Sequence, residues 1–199
     1  MATTPLTDDF KRLLQLISAA VASGISLIQL REKNLTARVL YELVSRAVSL
    51  TEGSATRLLV NDRADIARAA GADGAHLTTS SLSAAIVRQT FGKDFLIGVS
   101  THSLAEARAA ESEGADFAVF GPVFETTAKR VYGEPVGLKQ LAEVTSALAT
   151  FPIIALGGVT IDNAGDCVRA GSAGVAGITL FDQAGDLQRI VLVIKEDRS

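Results

Sequence analysis

Seven short apolar runs, each followed by a stretch of helical period, constrain this chain more than any other feature. The runs are Leu27–Leu30, Leu58–Val60, Ala75–Leu77, Leu96–Val99, Phe117–Phe120, Ile153–Leu156 and Val175–Ile178. Their length, their β-branched and aromatic content and their Gly or Asp flanks read as strands buried on both faces. Amphipathic segments near 36–52, 62–70, 82–91, 104–113, 137–149 and 161–170 lie between them. Further helices are expected at about 8–23 and 186–196. Strands alternating with helices imply βαβ units and a parallel sheet. At 199 residues the chain is read as one domain, 1–199, of α/β class: a (β/α)8 TIM barrel. Its first strand is expected to be weak or truncated, because only Thr3–Thr7 precedes the opening helix, and that segment is polar and broken by Pro5. A doubly wound open sheet competes, but its first βα turn should carry a Gly-rich dinucleotide loop, and none is present.

A weak repeat runs through the pattern. Arg68-Ala-Ala-Gly-Ala-Asp-Gly-Ala-His-Leu77 resembles Glu113-Gly-Ala-Asp-Phe-Ala-Val-Phe-Gly121 and Arg169-Ala-Gly-Ser-Ala-Gly-Val-Ala-Gly-Ile178. Each reads as a helix ended by glycine, a tight turn and a buried strand.

Composition excludes several classes of function. The charges nearly cancel, 19 basic against 22 acidic, and both signs are scattered, so neither nucleic acid nor a membrane is expected as partner. A single cysteine, Cys167, rules out an internal disulfide framework and a cysteine-rich zinc site. No apolar run reaches the ~18 residues of a membrane span, and no basic, then apolar leader opens the chain. A cytoplasmic protein acting on small molecules is expected, with homo-oligomerisation left open.

In a barrel the chemistry gathers at the C-terminal ends of the strands. The first run leads into Gln29-Leu30-Arg31-Glu32-Lys33, where a period of two puts Gln29, Arg31 and Lys33 on one side. One Gln and two cations there suit an anionic ligand, or form an ordinary solvated loop. The second run ends in Asn61-Asp62; Asp62 is either the N-cap of the next helix or a Mg2+ ligand. His76 and His102 fall at or just beyond strand ends, where a histidine is more often a hydrogen-bonded structural group than a catalyst. Ser100-Thr101-His102-Ser103 offers a helix-capping hydroxyl. The loop of about 122–136 has the length of a functional lid, with Lys129 midway along it. Gly157-Gly158 and Gly177-Ile178-Thr179 close the last two strands, where backbone N–H groups come close to a phosphate.

These segments together resemble the thiamin phosphate synthase/TenI family from about Leu6 to Phe181. The motifs are Ile28-Gln-Leu-Arg-Glu-Lys33, Val60-Asn-Asp62, Gly74-Ala-His-Leu77, Ile97-Gly-Val-Ser-Thr-His102, Gly121-Pro-Val-Phe-Glu-Thr126, Lys129, Ala155-Leu-Gly-Gly-Val159 and Gly174-Val-Ala176. The resemblance implies a transferase of thiamin biosynthesis that couples hydroxymethylpyrimidine diphosphate to thiazole phosphate and releases pyrophosphate. It implies Gln29, Arg31, Lys33, Asn61 and Lys129 on the diphosphate, with Arg31, Lys33 and Lys129 as the catalytic cations. It implies Asp62 on Mg2+ as cofactor and Ser100 beside the pyrophosphate. Thr126, Gly158, Ile178 and Thr179 would hold the thiazole phosphate. Three positions depart from the family pattern. Ser81 stands where a second Mg2+ carboxylate is expected, and Ala128 replaces a hydroxyl residue. Pro122 stands where the TenI tautomerase branch carries its catalytic histidine, so isomerase chemistry would need another acid–base group such as His102. A TenI-like thiazole tautomerase and a non-catalytic thiazole or thiamin phosphate binder are the alternative readings.

Overall fold

Three helix starts along this chain are set by small hydroxyl side chains. In the computed structural model, which describes residues 8–125, 134–182 and 187–196, Thr36, Ser83 and Ser103 each accept a backbone N–H three residues on. Each thereby satisfies a donor that the first helical turn leaves unpaired. The helices so capped are α2 (Ala37–Thr51), α4 (Ala84–Phe91) and α5 (Leu104–Ser112). The candidate strand at Thr3–Thr7 lies outside the described residues.

The chain forms two compact units. One spans Met1–His76 with Lys93–Leu96, the other Leu77–Gly92 with Ile97–Ser199. The first holds α1 (Asp8–Ala22), β1 (Leu27–Leu30), α2, β2 (Arg57–Asn61), α3 (Ala64–Ala70) and β3 (Gly74–Leu77, less its last residue). Its strands pair in parallel in the order β1–β2–β3, with Leu30 opposite Val60 and Val60 opposite Ala75. Helix α2 buries Leu40, Leu43, Val44 and Ala47, the spacing of one helical face, while Leu58, Leu59 and Val60 of β2 are all at most 1% exposed. That continuous burial is what a parallel strand covered on both sides requires.

The second unit holds α4, then β4 (Leu96–Thr101, from Ile97 onward), α5, β5 (Phe117–Phe120), α6 (Gly137–Ala147), β6 (Ile153–Leu156), α7 (Ala164–Arg169), β7 (Gly174–Ala176), α8 (Thr179–Asp182) and α9 (Leu187–Glu196). Strands β4–β5–β6–β7 again pair in parallel in chain order. Phe120, Leu141, Val144, Ile153, Ala155 and Cys167 form part of one core cluster. Cys167 is fully buried, and burial pushes its thiol up to about 11, in keeping with an unreactive core residue.

The sequence repeat has a geometric counterpart. Gly71, Gly114 and Gly171 all take positive φ (79°, 83° and 90°), which ends a helix without a Cβ clash. Two residues on, Asp73 bonds back to β2: its N–H donates to the Leu58 carbonyl, and its carboxylate accepts the Leu58 N–H at 2.8 Å. Asp116 does the same to Ile97, accepting its N–H at 2.6 Å and an Arg88 guanidinium N–H at 2.7 Å. In the third copy Ala173 keeps only the backbone half, donating to the Ile153 carbonyl.

Three local expectations are corrected. Asp62 is not the cap of α3: the cap position is Arg63, which makes no side-chain cap bond, and Asp62 has φ +59°, outside helical geometry. The last strand ends at Ala176 rather than Ile178, and Ile178 is 76% exposed where a buried strand residue was expected. Helix α7 begins at Ala164, not 161, because the Asn163 side chain accepts the Thr160 N–H and donates to the Gly158 carbonyl, holding 158–163 as a turn.

Candidate functional site

In the first unit the strand ends bring the predicted polar residues together. Leu30 is 2% exposed while Gln29 beside it is exposed, as the two-residue period of a strand requires. Gln29 Nε2 donates to Asn61 Oδ1 at 3.0 Å, so the terminal polar groups of β1 and β2 are paired. Asn61 in turn stands in register with His76 at the end of β3. Residues in register share a face, which puts His76 on the same side as Asn61. His76 is 4% exposed; burial, with the Arg31 charge adding to it, pushes its imidazole down to about 4. His76 is therefore neutral near pH 7, chiefly because it is buried. Arg31 and Lys33 are exposed beyond β1.

Asp62 occupies the left-handed region, which Asp tolerates better than most residues and which recurs at functional sites. Its N–H donates to the His76 carbonyl at 2.9 Å. The neighbouring Arg63 is taken up by Asp65 through bonds of 2.8 and 2.7 Å, which hold the Asp65 carboxyl below its usual range. Among the described residues no salt bridge takes up the Asp62 carboxylate, which stays exposed. Magnesium is commonly held by one or two carboxylates together with substrate phosphates. A single exposed carboxylate fits an ion that arrives with a diphosphate. Among the described residues no group of three His, Cys, Asp or Glu side chains could hold an ion unaided.

In the second unit Ser81 is committed to its own turn. Its Oγ accepts the Thr78 N–H at 2.8 Å and lies 3.2 Å from the Thr78 hydroxyl, which also meets Ser80 at 3.1 Å. Ser100, in β4, is half-buried. The twin glycines after β6 both have positive φ, 98° and 65°. A Cβ on Gly157 would stand 2.5 Å from Pro122, and one on Gly158 would stand 2.5 Å from the Glu125 carbonyl oxygen. Their missing side chains are thus used by the 122–125 backbone, a close approach that the sequence reading, which saw only a phosphate cradle, did not anticipate. The segment is bonded there: Val123 and Phe124 donate to the carbonyls of Leu156 and Gly157, each at 2.9 Å.

His102, exposed after β4, bonds through Nδ1 to the Gly121 carbonyl. A carbonyl only accepts, so Nδ1 carries the proton. The sequence places this histidine one residue past a strand end but does not show its partner, since the Gly121-Pro122 pair lies one strand, β5, further along the chain. Ile178 and Thr179 follow β7 at the start of α8 rather than within the strand. Thr126, Ala128 and Lys129 lie outside the described residues.

Comparison with known proteins places most of the chain in one family. A family model described as thiamine monophosphate synthase matches residues 1–181. A Geobacter sulfurreducens relative, provisionally named thiamine-phosphate synthase, is 49% identical over 82% of this chain and 76% of its own length. The thiamine-phosphate synthase of Chlorobium limicola is 41% identical over 91% of this chain and 86% of its own. Among solved structures, thiamine phosphate pyrophosphorylase from Pyrococcus furiosus superposes with a TM-score of 0.86 at 27% identity, covering 97% of this chain and 94% of that one. A likeness of that extent shows a shared fold, the α/β barrel class expected from the alternation of strands and helices. No helix among the described residues is long and apolar enough to cross a membrane.

Proposed function

Because the chain belongs to the thiamine monophosphate synthase family, we propose that it is a cytoplasmic thiamine-phosphate synthase. It joins hydroxymethylpyrimidine diphosphate to thiazole phosphate and releases pyrophosphate. The methylene C–O bond breaks, the pair of electrons leaves with pyrophosphate, and the thiazole nitrogen lone pair forms the new C–N bond to the pyrimidine-methyl cation. The protein's task is then mostly electrostatic: to stabilise a departing polyanion and to hold two heterocycles in place.

Gln29 and Asn61, bonded to one another, present one amide acceptor and one amide donor beyond those their bond uses. Arg31, Lys33 and Lys129 hold the diphosphate as it gains charge, with Ser100 beside the leaving pyrophosphate. Neutral His76 adds no repulsion toward the Arg31 guanidinium. Asp62 would hold Mg2+, which when bound neutralises charge on the leaving diphosphate. Thr126, Gly158, Ile178 and Thr179 take the thiazole phosphate.

The observation that carries this reading is the Gln29–Asn61 bond at the ends of adjacent strands, with Arg31 and Lys33 exposed just beyond β1. Incubation of the purified protein with both substrates and Mg2+, followed by chromatography, is expected to yield thiamin phosphate and pyrophosphate in equal amounts. Absence of product above background at high enzyme concentration refutes it.

A further inference from the structure

The imidazole of His102 joins two segments that the chemistry above treats separately. Its Nδ1–H donates to the Gly121 carbonyl, and this bond survives whether or not Nε2 is protonated, since Nδ1 keeps its proton in both states. The residue is itself held. Its backbone N–H donates to Glu106 Oε2 at 2.6 Å, while the next residue, Ser103, caps α5 by accepting the Glu106 N–H at 3.2 Å. Those two bonds form a reciprocal clasp at the helix start, which fixes the backbone from which the ring projects.

Gly121 opens a segment fixed at successive residues. The Pro122 carbonyl accepts the Val136 N–H at 2.8 Å, and the Val123 carbonyl accepts the Gly137 N–H at 3.1 Å. On the other side Val123 and Phe124 donate to the carbonyls of Leu156 and Gly157. The segment then passes so close to Gly158 that an added Cβ there would stand 2.7 Å from Phe124 Cβ. The backbone at 157–158 and the path of 121–125 therefore cannot change independently.

We propose that His102 is a positioning residue: through the Gly121 carbonyl it sets the 121–125 segment over Gly157–Gly158, and so the affinity for the thiazole phosphate. This rests on the synthase reading for the identity of the ligand. The effect is specific to that ligand because the His102 bond ends on the segment that packs against Gly158, whereas Gln29 and Asn61 bond to one another.

The test compares wild type with H102A, H102N and H102Q. Asn places an amide N–H where histidine carries Nδ1–H, whereas the longer Gln places it nearer the Nε2 position. H102A is expected to raise KM for thiazole phosphate, and its Kd by calorimetry, about 3- to 10-fold, the loss of one hydrogen bond. KM for the pyrimidine diphosphate and the pH profile of kcat stay unchanged. H102N restores the wild-type values and H102Q does not. Amide exchange at Val123 and Phe124 follows the same order, faster in H102A and H102Q and restored in H102N. Binding and exchange need no turnover, so a wild type that binds thiazole phosphate yet makes no product sinks the synthase reading alone. Unchanged affinity and exchange in H102A overturn the positioning role. So does wild-type affinity with a lost limb of the pH profile in H102N, which would make His102 a proton-transfer group. Wild-type protein that does not bind thiazole phosphate overturns it as well.

Discussion

An alanine at position 158 carries two separable costs, and the structure assigns a size to each. The backbone there has φ +65°, where an L side chain costs ~1–2 kcal/mol. The new methyl would also stand 2.5 Å from the Glu125 carbonyl oxygen, 2.7 Å from Phe124 Cβ and 2.8 Å from the Phe124 carbonyl carbon. Separations that short force the 124–125 backbone to move, an overpacking cost of ~1–3 kcal/mol. G158A should thus lose ~2–5 kcal/mol in total. Gly24 supplies the control: its φ is +75°, and nothing lies within 4 Å of a built Cβ. G24A should cost the backbone strain alone, ~1–2 kcal/mol. Urea unfolding with linear extrapolation measures both, and the difference isolates the contact. Displacement of 124–125 should also raise KM for thiazole phosphate in G158A and leave it unchanged in G24A. Equal destabilisation by the two substitutions, with an unaltered KM in each, would refute the reasoning.

Other perturbations follow from single groups. Ser172 Oγ is buried with no hydrogen-bond partner among the described residues, so S172A should stabilise the protein by about 1 kcal/mol in the same urea assay; destabilisation would mean that the hydroxyl has a partner. The folded-state pKa of His76, about 4, lies below its unfolded value near 6.5, so between those values the unfolded chain binds more protons. Stability should therefore be full above pH ~6.5 and fall by up to about 3 kcal/mol as pH drops toward 4, with H76Q showing a flatter curve. An identical pH slope in the variant would remove His76 as the cause. D62N should raise the Mg2+ concentration for half-maximal rate about tenfold or more, and weaken Mn2+ binding by electron paramagnetic resonance in the presence of pyrophosphate; an unchanged metal requirement would place the ion elsewhere.

Local patterning made much of the scaffold legible. All seven apolar runs fall on strands, since runs this short are too brief for a helix yet long enough for a strand covered on both faces. The capping hydroxyl expected within Ser100–Ser103 is that of Ser103, while Thr36 and Ser83, not singled out in the sequence, cap their helices by the same short-range bond. The Gln29–Asn61 pair was anticipated as two strand-end polar residues, and its bond follows from parallel pairing of adjacent strands. Asp62 was less legible, since the same residue type serves as a cap or in a left-handed turn. Here the backbone bond to His76, 14 positions along the chain, accompanies the left-handed turn.

The alternation of apolar runs with helical periods determined the class of fold, the parallel pairing and most element boundaries, since each depends on burial patterns a few residues long. Tertiary structure alone decided why Gly157 and Gly158 lack side chains, where the His102 ring donates and why His76 stays uncharged. Each of those depends on atoms brought within a few ångströms by segments distant in the chain, and no local period encodes such a meeting.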